Sequence, residues 1–501
     1  MTAISESSSF RLDGRIAAIG LVLLCAGLIA TGAALERQPV IAVAALLAIP
    51  AAVLMFVRPD VAVPVVLFVM YSNAAVVAVR FHGVPAIAAM LVPVPLLIPL
   101  FWNIVLRSQT VVITPALPWI LLFVGWQLIC AMVSVDSEKS VNGVLGTVLE
   151  GLLFYLLITN AVRTPQVMRT AMWALVAAGA FMGSVSAYQQ ATGSFDTNVG
   201  GFGQVSEGEG FDVATGSFIV QQRRLCGPIG EQNRYAQVML MLIPVALACV
   251  LTERTIGLRL LALAAAGLTA LGCGLTFSRS GAIAFVLMLV VGLAVRFVSR
   301  RQVAAVFVGG LLLLLIIPQY RTRLATIPSA LGIFGTTNAR DEEPDGAILG
   351  RATEMLAAAR MAIDHPLFGV GPDLSGTFTR EYGQLGGLRA LMGDRETHCL
   401  YLEIAAESGV PGFLLFIGML SISIRSLLRI RREICGHRPE LEPIVAGFLL
   451  ALTGYLTMGL FLHMSYVRYF WLMLAMADAC TTVALSLQNQ TWNHATSEVV
   501  T

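Results

Sequence analysis

The chain has 501 residues, of which 57% are hydrophobic and 12% charged; soluble domains carry about a quarter of their residues as charges. With 32 Lys and Arg against 30 Asp and Glu, the net charge is +2, which leaves no bulk attraction for polyanions and excludes nucleic acid as a partner. The composition is that of an integral membrane protein built from helices.

A spanning helix needs about 20 apolar residues. Read in chain order, fourteen stretches qualify, with 12–14 as the working range: 16–35, 40–57, 61–79, 84–106, 113–133, 141–162, 170–190, 235–252, 260–277, 280–295, 303–318, 405–424, 444–462 and 466–486. The first lacks a small-residue cleavage site and reads as a transmembrane helix, not a signal peptide. With the N-terminus inside, 16 of the 32 basic residues fall on inner segments and 5 on short outer loops, as the positive-inside rule expects. The Arg425–Arg438 cluster is the strongest anchor of this orientation, and both termini then face the cytoplasm. The fold expected is all-α: N-terminal spans over 1–190, an outer loop over 191–234, spans over 235–318, a large outer loop with short helices over 319–404, spans over 405–486 and a loose cytoplasmic tail over 487–501.

Both long outer segments carry polar motifs. The first is glycine-rich and ends in RRLCGPIGEQNRYA, which places Arg223, Arg224 and Asn233 at the mouth of the eighth span. LTFSRSG places Arg279 at the outer end of another span, where snorkelling to the interface is an alternative reading. The large loop holds an acidic patch, Asp341-Glu342-Glu343, and then a helix from Gly350 that Pro366 stops and that Gly369 and Gly371 follow with a turn. Arg351 opens that helix. The stretch THCLYLEIAAESGVPGFLLF, 397–416, begins as a loop and ends as a span. In helical phase His398, Tyr401, Leu402 and Ala405 share a face, which puts the histidine on the first turn. Glu407 follows near Gly409 and Gly412; juxtamembrane acids face protein or water, not lipid. Taken alone, His398 reads more simply as an interfacial polar residue satisfied by a loop carbonyl.

These stretches resemble the O-antigen ligase and O-antigen polymerase superfamily of bacterial envelope glycosyltransferases. The residues that carry the resemblance are R-x-x-G-x-x-x-x-x-N from Arg224 to Asn233, T-x-S-R-S-G from Thr276 to Gly281, G-R followed by D-H-P-L-F-G-V-G-P from Gly350 to Pro372, and H-x-x-Y-L-x-x-x-x-E-x-G-x-x-G from His398 to Gly412. They cover roughly 225–415, and the last two are the specific ones. The resemblance implies an enzyme of the inner membrane acting at its outer face, with an undecaprenyl-pyrophosphate-linked glycan as donor and no cofactor or metal. It implies His398 as base, Arg224, Arg279 and Arg351 as pyrophosphate ligands, and Asn233, Tyr401 and Glu407 in support. Its partners would be the lipid bilayer, the lipid-linked donor, a glycan or lipid acceptor, a chain-length regulator and a flippase. Cys399 and Asp373 stand where the family more often has a small polar residue and Gly.

Chemistry agrees with that assignment. A departing pyrophosphate concentrates negative charge, which guanidinium groups bind bidentately without deprotonating. The acceptor hydroxyl needs a base with a pKa near ambient, which suits histidine. The expected activity is polymerisation of lipid-linked repeat units, with transfer of the glycan to lipid A-core as the alternative. A transporter is the alternative of another class; it would rest on Glu150 and Asp478 as a proton relay, whereas pairing with polar groups of neighbouring helices is the plainer reading of both. Tyr469-Phe470-Trp471 reads as an aromatic belt at the outer interface. No zinc-like spacing occurs among the eight cysteines. Cys226 and Cys399 alone face the oxidising side and either bond across a shared pocket or pack separately under loops.

Overall fold

The computed structural model describes residues 53–212, 217–305, 308, 346–384, 395–464 and 467–500. Among these, eight helices are long and apolar enough to cross a membrane, or up to nine if one bent pair counts as a single span. The expected spans at 16–35 and most of 40–57 and 303–318 lie outside the described residues, as does the acidic patch at 341–343.

The bent pair is α1, Pro59–Tyr71, and α2, Ala74–His82, set at 53° where one straight span over 61–79 was expected. Asn73 adopts the left-handed conformation (φ 59°) at the break, which Asn tolerates better than most residues. α3, Ala86–Leu106, threads a proline-rich stretch through a 3-10 turn and a final π turn, since each proline removes a backbone donor. α4 is Leu117–Val133. α5, Ser137–Ala161, starts on the Asp136 cap and carries a π segment at Val148–Leu152. Gly151 there lies under Trp471, whose indole leaves no room for a Cβ (2.6 Å). α6, Pro165–Thr192, begins at Thr164 and ends at left-handed Gly193. Its Gly179 and Gly183 meet α8, Ile256–Gly274, so closely that a Cβ on Gly183 would fall 2.2 Å from the Leu268 carbonyl. This is the small-xxx-small contact of membrane helices.

The loop expected over 191–234 contains an antiparallel hairpin, β1, Gln204–Asp212, and β2, Ser217–Gly227, which corrects the all-α reading. The run SFIV at the start of β2 has the aromatic and β-branched character of a strand. α7, Gln232–Thr252, follows, capped by Glu231. α9 is Arg279–Ala294, α10 Gly346–Asp364, α11 Ser375–Gln384, α12 Leu400–Glu433, α13 Glu442–Met458 and α14 Val467–Val500. α12 starts five residues before the expected 405, and α14 runs on through the expected tail, where no Gly or Pro interrupts it.

Burial sorts the helices. The apolar windows of α7 and α14 are each 78% buried, whereas those of α3 and α8 are 17% and 28% buried. The exposed side chains of the outer helices are apolar, as at Leu121, Leu122 and Ile129 on α4 and Leu260, Leu261 and Leu263 on α8, which suits a lipid solvent. The Tyr469-Phe470-Trp471 run is fully buried and packs edge-on against Tyr71 and Tyr155 and at a tilt against Tyr455. It is core, not an interfacial belt, because α14 runs through the middle of the bundle. Tyr155 and Ser423 donate to Asp478 at 2.5 and 3.0 Å, and Glu150 lies 3.9 Å from Arg468. Both acids are therefore paired with neighbouring helices.

Candidate active site

Alternation along β2 sends successive side chains to opposite faces. Arg224 turns toward the α8–α9 connection, where its Nε donates to the Thr276 carbonyl at 2.9 Å and its Nη2 to the Phe277 carbonyl and to Asn233 Oδ1. Ser278 Oγ donates to the same Asn233 oxygen at 2.9 Å and caps α9 through the Gly281 amide. The first two motifs thus form one cluster at the N-termini of α7 and α9. Arg279, half-buried, is the first residue of α9 and follows directly on the connection that Arg224 holds.

The third and fourth motifs interlock through their backbones. α12 is broken at Gly409 (φ 66°, ψ −173°), which leaves carbonyls of the preceding turn without helical partners. The turn after α10 supplies them. The Val370 and Gly371 amides donate to the Ala406 and Glu407 carbonyls at 2.8 and 3.1 Å, and the Val410 amide donates back to Pro366 at 2.8 Å. Trp126 Nε1 donates to the Ser408 carbonyl and its ring stacks on Phe368. A Cβ on Gly369 or Gly409 would fall 2.3 Å from the opposing backbone, so both glycines are needed for the approach.

His398 sits two residues before α12, not on its first turn, because Cys399 is extended (φ −158°) and forms the cap. Its Nδ1 lies 2.7 Å from Glu354 Oε2 on α10. The two atoms are in close contact without hydrogen-bond alignment. Glu354 is only 2% exposed, and Arg395 reaches its other oxygen at 3.4 Å. Arg351 stands one helical turn before Glu354 and is half-buried. Contact at Nδ1 leaves Nε2 as the nitrogen that can face a substrate; His398 is 30% exposed. His463, between α13 and α14, packs edge-on against His398 with ring centres 6.0 Å apart. Its carbonyl accepts from Arg234 Nη2 at 2.6 Å, and Arg234 follows Asn233. The arginine cluster and the histidine are therefore joined by a continuous path of contacts. Burial, then Arg234 and His398, push the His463 pKa down to about 3, so its ring is neutral.

Two expected supporting residues face elsewhere. Tyr401 donates to the Leu456 carbonyl at 2.8 Å and pins α12 to α13. Glu407 accepts from Ser375 Oγ at 2.8 Å and from the Ser375 amide, anchoring the start of α11. Glu354, Arg395 and His463 were missed by sequence reasoning. Cys226 and Cys399 are both free and buried, so the disulfide is not formed; Cys226 is held by the Arg224 carbonyl and Gln232. Among the described residues no group of three His, Cys, Asp or Glu side chains is placed to hold a metal ion.

A bundle of apolar helices with a polar histidine–carboxylate–arginine site at the helix ends defines a membrane protein with an enzyme-like centre. Residues 264–417 match the family model described as O-antigen ligase; the match supports the O-antigen ligase and polymerase superfamily for this chain and a glycosyl-transferring activity. It spans Arg279, Arg351, Glu354 and His398, whereas Arg224 and Asn233 lie before it. No curated protein matches the chain.

Proposed function

We propose that the protein is a polymerase that joins undecaprenyl-pyrophosphate-linked oligosaccharide units at the outer face of a bacterial inner membrane, for an exopolysaccharide or O-antigen. The observation that carries this reading is His398, oriented at Nδ1 by the buried carboxylate of Glu354 and joined through His463 and Arg234 to the Arg224–Asn233–Ser278 cluster. A base held by a second group, connected to a cluster of arginines, suits transfer from a phosphate leaving group.

In this mechanism the acceptor hydroxyl oxygen attacks the anomeric carbon of the donor. The new C–O bond forms as the bond to pyrophosphate breaks, and the leaving group departs with the electron pair. The hydroxyl proton passes to His398 Nε2, and Glu354 stabilises the imidazolium that results. Arg279 and Arg351 take the pyrophosphate charge, while Arg224 holds the loop that presents Arg279. Transfer opposite the leaving group inverts the anomeric centre. No metal enters this scheme; a chain-length regulator and a flippase are its expected partners. The family description favours a second reading, transfer of a finished glycan to lipid A-core.

His398→Ala tests the proposal. The variant should insert and fold normally yet make no long-chain glycan in cells, since loss of a general base costs about 10²–10⁴-fold. A wild-type chain-length ladder would remove histidine from the mechanism. Mature lipopolysaccharide lost while polymer length is kept would decide for the ligase.

A further inference from the structure

The opposite face of the hairpin, which carries Arg223, borders a cavity. It has a volume of about 530 Å³ and is lined by Arg80, Phe81, Phe195, Asp196, Asn198 and Glu207, among others. None of these belongs to the histidine–arginine site. We infer that this cavity is a glycan-binding subsite for a neutral oligosaccharide, holding sugar units of the chain that is being transferred. The inference rests on the glycosyltransferase reading above.

The lining fits a sugar better than an anion. Arg223 of β2 is already paired with Asp196 at 3.3 Å and Glu207 at 3.1 Å, so the two acids and the two arginines around the cavity balance. A phosphate site would instead present unbalanced cations. Carboxylates, the Asn198 amide, the Gln204 amide oxygen and the Arg80 guanidinium offer donors and acceptors together, as a polyhydroxyl ligand requires. Two half-buried phenyl rings provide flat apolar surface for the C–H faces of a sugar. The volume lies within the roughly 300–1,000 Å³ typical of small-molecule sites.

The cavity is also built, not incidental. Arg80 lies 5.6 Å from the Phe81 ring and Arg223 5.7 Å from the Phe195 ring, which fixes both aromatics. Gly201 (φ 92°) allows Phe81 its place, since a Cβ there would fall 2.4 Å from the ring. Gln189 holds the Thr197 and Gly203 carbonyls at 3.0 and 2.7 Å, and His82 holds Gly200 at 2.9 Å. Gln204 Nε2 donates to the Pro228 carbonyl at 3.2 Å, inside the first motif. Because Arg223 and Arg224 are consecutive on β2, the subsite and the arginine cluster sit on the two faces of one strand. A glycan held on one face would thus run beside the site that acts on its reducing end.

The test uses the full-length protein in detergent, with the oligosaccharide released by mild acid from the host's own surface polysaccharide as the probe, followed by saturation-transfer NMR. Wild type and His398→Ala should bind it alike. Phe195→Ala and Asn198→Ala, chosen on the exposed loop so that folding is preserved, should each weaken binding about tenfold or more. Inorganic pyrophosphate should not displace the probe. Unchanged binding in both loop variants, displacement by pyrophosphate, or no binding to wild type would each overturn the subsite. Transfer lost in His398→Ala while both loop variants bind normally would reject the subsite alone. Transfer retained in His398→Ala would reject the catalytic reading instead.

Discussion

Glu354 and His398 stand 2.7 Å apart, and their relation sets what each can be expected to do. The carboxylate is buried and shared with Arg395, so it is a positioning residue for the imidazole. Glu354→Gln keeps the shape but loses the charge that would stabilise the imidazolium. Transfer should fall on the order of 10²-fold or more with the donor KM little changed, and Glu354→Asp should recover part of it. An equal fall in kcat and in donor affinity would make Glu354 a substrate ligand. Arg279→Lys should lose most transfer although charge is kept, because an ammonium cannot reproduce the fork; full activity would reduce Arg279 to a point charge or a topogenic residue. His463 carries a pH consequence. Its pKa is about 3 in the fold against an ordinary 6.5, so the folded state binds fewer protons. Stability is present above pH 6.5 and is lost as pH falls from 6.5 toward 3. His463→Gln should flatten that acid limb in thermal unfolding, and an unchanged limb would place the titration elsewhere.

At the scale of elements, the broken helix α12 and the turn after α10 depend on each other. Gly409→Ala would place a Cβ 2.3 Å from the Leu367 carbonyl at a φ that L-residues avoid. We expect a lowered Tm in detergent together with loss of transfer, whereas Gly125→Ala on α4, with open space around it, should change neither. An undisturbed Gly409→Ala protein would mean that the motifs are not clasped. This interlock was half legible. Its two strings stood out in the sequence because glycine, proline and histidine interrupt apolar runs, and those residue types impose local geometry. The pairing across them was not legible, since backbone bonds between segments about 40 positions apart leave no pattern in either. Glu354 was hidden for a related reason: within ATEMLAAARM it looks like the polar side of an ordinary helix, and only the fold turns it inward to His398. The hairpin was missed because glycines inside β1 mask its alternation.

Over the whole molecule, hydropathy located the helices it could see but not which of them form the centre. Tyr469-Phe470-Trp471 read as interfacial because a belt and a core share the same residues; burial in α14 separates them. The same bundle disposes Asp478 against Tyr155 and Ser423, an arrangement that an amide can largely keep. Asp478→Asn should therefore retain glycan synthesis, and its loss without unfolding would revive the proton-relay reading. In the proposed reaction His398 takes the proton from the acceptor hydroxyl. The most direct measurement is single-turnover transfer in proteoliposomes loaded with purified lipid-linked donor, comparing wild type with His398→Ala at matched folded protein. Donor binding should stay within about twofold of wild type while the transfer rate falls by about 10²–10⁴-fold. Equal rates in the two proteins would contradict that role for His398.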